Sequence, residues 1–199
     1  MIKHYDDGKT EIVAIERAKP GNRCCGDANE VIHTDEYTLC VVADGLGSGE
    51  GAKQSANIVI DTIQSMHAKP VEEMASACND ALVNKRGAVI TIVKIHYVKK
   101  EITYCNFGNI GFLMCSPNGQ IFQPMPARGY LSGRKQRLTS NRVPYESGTV
   151  FFIYSDGIES PLNKKELLTI RFPEQASEIL EEKIEHARDD VTALLGKLK

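Results

Sequence analysis

Three stretches rich in β-branched and aliphatic residues, 88–97, 102–107 and 111–116, follow one another with only three or four residues between them. Their composition predicts strands. Connections this short cannot carry the crossover that parallel strands require, so these strands are expected to run antiparallel. Pro117-Asn118-Gly119 offers a further tight turn after the third. Strands are also predicted at 11–18, 37–43, 149–154 and 191–195. One helix opens after Gly47, Gly49 and Gly51 and runs toward Met66. A second starts after Pro70, with Glu72 and Glu73 suited to its first turn. A third covers 174–187, where Ala176, Ile179, Leu180, Ile184 and Ala187 recur at helical spacing. Helices that come in pairs between runs of strands predict an α+β chain, with the helices stacked on the outer faces of sheets packed together.

The length, 199 residues, suits a single domain spanning 1–199. With 24 basic and 26 acidic residues the formal charge is −2, which excludes a general affinity for nucleic acid or an anionic membrane. Residues 1–17 contain two adjacent aspartates and no signal-like apolar stretch, and the longest aliphatic-aromatic run, 150–154, is far short of a membrane span. A cytoplasmic protein is expected. The six cysteines form no CxxC pair; Cys40, Cys105 and Cys115 lie in predicted strands, where a thiol packs as a small hydrophobe, so reduced cysteines are expected. The adjacent Cys24 and Cys25 lack a second thiolate pair at ligand spacing.

The first chemical signal is a predicted strand, 37–43, that ends in Asp44 and at once becomes glycine-rich: Asp44-Gly45-Leu46-Gly47-Ser48-Gly49-Glu50-Gly51. The segment from Gly47 to Ala52 fits a dinucleotide-binding pattern, but a second helix follows where that fold needs a second strand with an acidic ribose ligand. A nucleotide-binding P-loop fails, because Lys53 follows Ala52 and precedes Gln54. The second signal is repetition. Ser155-Asp156-Gly157 follows the strand at 149–154, Asp189-Asp190 opens the last strand, and Gly26-Asp27 lies in an upstream loop. Each acidic turn alone is ordinary turn chemistry. Four of them flanking apolar strands would gather several carboxylates in one cleft if the sheets stack, and such crowding calls for cations to neutralise it. Oxygen-only ligation favours Mg²⁺ or Mn²⁺, and a carboxylate-held ion pair suits phosphate ester hydrolysis by an activated water. Competing phosphatase chemistries lack their motifs: no cysteine has an arginine six positions later, and no Asp-x-Asp or Gly-x-Ser-x-Gly occurs.

Gly26-Asp27, Asp44-Gly45-Leu46-Gly47-Ser48-Gly49, Phe107-Gly108-Asn109-Ile110-Gly111, Ser155-Asp156-Gly157 and Asp189-Asp190-Val191-Thr192 stand in the order found in the metal-dependent PPM/PP2C serine/threonine phosphatases. The chain resembles that family over nearly its whole length, and within it the bacterial stress-regulatory branch. The resemblance implies a four-layer α/β/β/α sandwich of two antiparallel sheets and a centre holding a pair of Mn²⁺ or Mg²⁺ ions. It implies that Asp44 bridges the metals, that Gly45 offers its carbonyl, that Asp156 and Asp189 are ligands, that Asp27 acts as metal ligand and acid toward the bound water, and that Asp190 supports from behind; Asn109 is expected to shape a sheet turn. Asp27 and Asp44 are thus the expected catalytic residues. It also implies phosphorylated stress-signalling proteins as partners, in a sigma-factor pathway, and a monomer.

Two positions depart from the family pattern. Leu46 stands where eukaryotic members commonly carry a histidine, and Asn22 stands where they place a phosphate-binding arginine, leaving Arg23 one residue displaced as the substitute. The segment 128–146 carries Arg128, Arg134, Lys135, Arg137 and Arg142 against Glu146 alone. It reads either as a solvated loop or as a strip near the cleft that steers an acidic or phosphorylated partner, with Arg134 and Arg137 as its steering residues. The alternative to an enzyme is a catalytically silent docking module of the same fold.

Overall fold

The computed structural model describes residues 2–199, and its organisation is visible in one strand. Every residue of β4 (Tyr37–Gly45) except Asp44 is buried. Its side chains alternate between two apolar layers: Leu39, Val41 and Ala43 pack with the helices α1 (Glu50–Met66) and α2 (Val71–Ala81), whereas Cys40 and Val42 pack toward a second sheet. Alternation of period two between two apolar layers is what a strand buried on both faces requires. The third apolar layer joins the second sheet to α3 (Lys164–Thr169) and α4 (Glu174–Ile184) through Leu167, Ala176, Leu180 and Ile184. Three apolar layers thus separate four structural ones, and the α/β/β/α sandwich is as expected.

One sheet has the strand order β3 (Asp27–His33), β4, β5 (Ala88–His96), β6 (Glu101–Phe107), β9 (Asn141–Pro144). The other runs β1 (Ile2–Asp6), β2 (Thr10–Arg17), β11 (Val191–Leu198), β10 (Val150–Tyr154), β7 (Gly111–Cys115), β8 (Ile121–Phe122). All strand pairings are antiparallel. The expected antiparallel run of three successive strands needs one correction. β5 and β6 pair, but β7 leaves that sheet and pairs with β10 and β8. The crossing is made by Gly108-Asn109-Ile110, which therefore sits at one end of the sandwich.

β1, β3 and α3 were not anticipated. Asp27 is the first residue of β3 and not part of a loop, and β3 carries Asn29, Glu30 and His33, too polar for a strand pattern. α3 is too short to show periodicity, yet Asn163 and Glu166 form a capping box at its start. The six cysteines are free and buried, as expected, and burial together with the charge of Asp27 pushes the Cys25 thiol up to about 12, unsuited to ligating a metal as thiolate. No helix among the described residues is long and apolar enough to cross a membrane.

Candidate metal centre

The antiparallel arrangement brings the acidic turns together. β3 begins and β4 ends at the same edge, so Asp27 and Asp44 stand directly opposite each other across the two strands. Like charges so placed repel, and no strand would choose them for stability. In the other sheet, β10 ends before Asp156 and β11 begins after Asp190, again at one edge. The sheets are tied there by Asn29 Nδ2, which donates to Thr192 Oγ1 at 2.9 Å, while Thr192 N donates to Ser155 Oγ at 2.9 Å. A cleft of about 400 Å³ opens at this end, lined by Asp27, Asp44, Asp156, Asp189 and Asp190 among others.

The five carboxylates are held differently. Asp27 is 3% exposed, and its Oδ2 is buried without a hydrogen-bond partner. Burial first, and then the charge of Asp44, raise its pKa well above the carboxylate range. Burial and the charge of Asp156 raise that of Asp44, and burial with the charge of Asp189 raises that of Asp156. Asp156 accepts from Asn109 Nδ2 at 2.7 Å. Asp189, with a side chain 58% exposed, faces Lys19 Nζ at 3.5 Å. Asp190 lines the cleft but is buried, its Oδ1 accepting from Lys19 N at 2.8 Å and its Oδ2 from Gly26 N at 2.9 Å. That clamp fixes Gly26, whose carbonyl accepts from Gly45 N at 3.2 Å. Gly45 must be glycine, because a Cβ there would stand 2.0 Å from the Ala52 carbonyl oxygen at the start of α1.

No three His, Cys, Asp or Glu side chains among the described residues already stand in ligating geometry. Asp156 and Asp189 are turned to Asn109 and Lys19, and an incoming cation has to draw them from those partners. The donor set nonetheless fits a divalent cation: hard oxygens only, an orphaned buried carboxylate oxygen, and several carboxyls whose ionisation is opposed by their neighbours' charge.

The family described as Stage II sporulation protein E (SpoIIE) matches residues 34–199. The phosphoserine phosphatase RsbX of Bacillus subtilis (strain 168) is 35% identical over 198 residues, covering all of both chains. The chain belongs to the SpoIIE family of PP2C-type phosphatases. A crystal structure of RsbX in complex with magnesium matches this phosphatase over the whole of both chains with a TM-score of 0.95 at 35% identity. A bacterial stressosome structure matches 95% of it and 100% of that chain, with a TM-score of 0.87 and 27% identity. The PP2C phosphatase domain of SpoIIE from Bacillus subtilis shares the fold, with a TM-score of 0.81 at 14% identity, over 100% of this chain and 64% of that chain.

The structure brings Asp27, Asp44, Asp156, Asp189 and Asp190 of this phosphatase into one cleft, with Gly45 adjoining it beside Asp44. It does not bring Arg23, Arg134 or Arg137 there; all three are exposed and none lines the cleft. Arg134 instead lies on a segment docked to α2 by Asn79, whose Nδ2 donates to Arg134 O at 3.1 Å. Asn109, expected only to shape a turn, and Tyr130 were not read as lining residues, while of the basic strip only Arg128 reaches the cleft. The glycines around Asn109 were the available signal. Gly108 has φ +115° and Gly111 leaves room for the Tyr154 ring, so the backbone there is bent to serve the cleft.

Proposed function

We propose that this phosphatase is a cytoplasmic protein phosphoserine/phosphothreonine phosphatase, its residues 1–199 one catalytic domain, acting on phosphorylated components of a stress-signalling complex that governs a sigma-factor pathway. The reading is supported by RsbX, a phosphoserine phosphatase, and by the stressosome neighbour. The observation that carries it is the convergence of Asp27, Asp44, Asp156 and Asp189 from two sheets on one cleft, with Asp27 Oδ2 unpartnered. A Mn²⁺ or Mg²⁺ pair would be held by Asp27, Asp44, Gly45, Asp156 and Asp189, with Asp44 shared between the ions. When bound, such ions lower the pKa of a water and offset charge on the phosphoryl oxygens.

The chain's own residues do the rest. In the metal-free chain, burial and the charge of Asp44 favour the protonated form of Asp27, the expected acid toward the bound water. Asp190 keeps Asp27 and Gly45 in register through Gly26. Leu46 lines the cleft without a titratable group, so leaving-group protonation falls to another residue or to solvent. Arg134 and Arg137, exposed outside the cleft, steer an acidic partner.

The test is phosphate release from a phosphoserine protein with and without Mn²⁺, comparing the native chain with Asp44→Asn. Release that requires both the metal and Asp44, and falls at least a hundredfold in the variant, is expected. Metal binding by calorimetry without release would instead support the silent docking module.

A further inference from the structure

A short arch forms part of the wall of the acidic cleft. At one end Gly108 N donates to Ala127 O at 2.8 Å and Ala127 N to Asn106 O at 2.9 Å; at the other, Ala88 N donates to Leu131 O at 3.0 Å and Leu131 N to Ala88 O at 2.7 Å. The anchors are the end of β6 and the start of β5. Only residues 128–130 span between them, and Gly129, at φ +127° with the Phe107 ring 2.9 Å from where a Cβ would stand, lets the backbone make the bend. Arg128 and Tyr130 are thereby fixed in the cleft wall with the carboxylates.

Arg128 is the one cation among the described residues lining this cleft. Its guanidinium is exposed and, among the described residues, takes part in no hydrogen bond or ion pair, although five carboxylates line the same space. A dianionic ester approaching those carboxylates meets repulsion that an unengaged guanidinium on a pre-set backbone can offset, and its planar fork matches two phosphoryl oxygens. We propose that Arg128 binds the phosphoryl group of the substrate, a phosphate monoester dianion, in the role for which the sequence suggested Arg23. The proposal deepens the phosphatase reading and rests on it for the identity of the ligand as an ester.

The experiment uses the full chain loaded with Mg²⁺, native and as Arg128→Ala and Arg128→Lys. Inorganic phosphate is titrated by calorimetry, and KM and kcat are measured on a small aryl phosphate and on a phosphoserine protein. Arg128→Ala is expected to weaken phosphate binding and raise KM for the aryl phosphate by about 10- to 100-fold, the loss of one charge-assisted contact. Arg128→Lys should recover part of both, keeping the charge without the fork. Thermal unfolding and Mg²⁺ affinity should not move, because the arch is held by backbone groups. Unchanged phosphate binding and unchanged aryl phosphate KM overturn the proposal, including the case in which only the phosphoprotein reaction suffers, which would make Arg128 a steering group. If the native chain hydrolyses neither ester yet loses phosphate binding on Arg128→Ala, the phosphatase reading fails while the anion site stands.

Discussion

Asp189 and Asp190 are neighbours in sequence and should behave oppositely when removed from the metal-free protein. Asp190→Ala deletes a buried carboxylate that accepts from Lys19 N and Gly26 N at 2.8 and 2.9 Å. Each such charge-assisted bond is worth about 1.5–3 kcal/mol, and both N–H groups lose their partner. Against this stands relief of repulsion, since the charge of Asp190 helps raise the pKa of Asp27 and Asp44; one charge in a group of five at high effective dielectric returns about 1–2 kcal/mol. The net cost is about 2–4 kcal/mol, a fall in Tm of about 5–15 °C for a chain of this length. Asp189→Ala removes an exposed pair with Lys19 and a hydrogen bond from Asp190 N at 2.9 Å, offset by relief of its repulsion with Asp156, and should leave metal-free stability within about 1 kcal/mol. Both variants should bind Mn²⁺ more weakly, Asp189→Ala through the lost ligand and Asp190→Ala through displacement of Gly26 and Asp27. Thermal and urea unfolding in chelator, with calorimetry of Mn²⁺ binding, read both quantities. A metal-free Asp190→Ala protein as stable as the native chain, or more so, refutes the clamp and makes Asp190 one more repelling charge.

Two further outcomes are expected. Because Asp27, Asp44 and Asp156 have folded pKa values raised above their unfolded ones, the native state holds more protons than the unfolded one between about pH 4 and neutrality. Metal-free stability should therefore fall as pH rises through that window, while Mn²⁺ affinity rises; flat urea midpoints over this range would contradict the raised values. At the other end of the sandwich the sign reverses. Burial opposes ionisation of Asp7, but hydrogen bonds from Tyr97 OH and from the N–H groups of Thr10 and Lys9 hold its carboxyl at about 2. That stability, about 2 kcal/mol, is fully present above the unfolded value and is lost as pH falls from about 4 to about 2. Asp7→Asn should cost about that much at pH 7 and almost nothing at pH 2, as measured by chemical unfolding.

Strongly patterned elements were legible because their signals are local. β5, β10, α1 and α2 each carry enough apolar residues at one period to declare themselves, and the acidic turns announced themselves by sitting where apolar strands end. β3 was hidden because it is an edge strand whose polar residues Asn29, Glu30 and His33 find their partners in Thr192, Gln64 and Thr38, contacts that no local pattern announces. β1 was hidden behind Asp7-Gly8, a hairpin signal that the polar sequence around it obscured. The change of sheet at Gly108-Asn109-Ile110 was illegible for a different reason: a three-residue connection serves a hairpin or a crossing between stacked sheets equally well, and only the partners of β7 distinguish them.

Local pattern was enough to show that the strands run antiparallel, that helices cover them in pairs, and which aspartates terminate them, since turn length, periodicity and residue type are properties of neighbours along the chain. Only the tertiary structure decided which of the carboxylates is a buried orphan, which is a clamp and which faces solvent. The family motifs set Asp190 apart from Asp27 and Asp189, but the N–H groups and charges that distant segments bring to each are visible only in the fold. The same holds for the cleft's cation. Five basic residues between 128 and 146 are equivalent in sequence, and Arg128 is set apart because backbone bonds to β5 and β6 carry it, and not Arg134 or Arg137, into the wall above the acids.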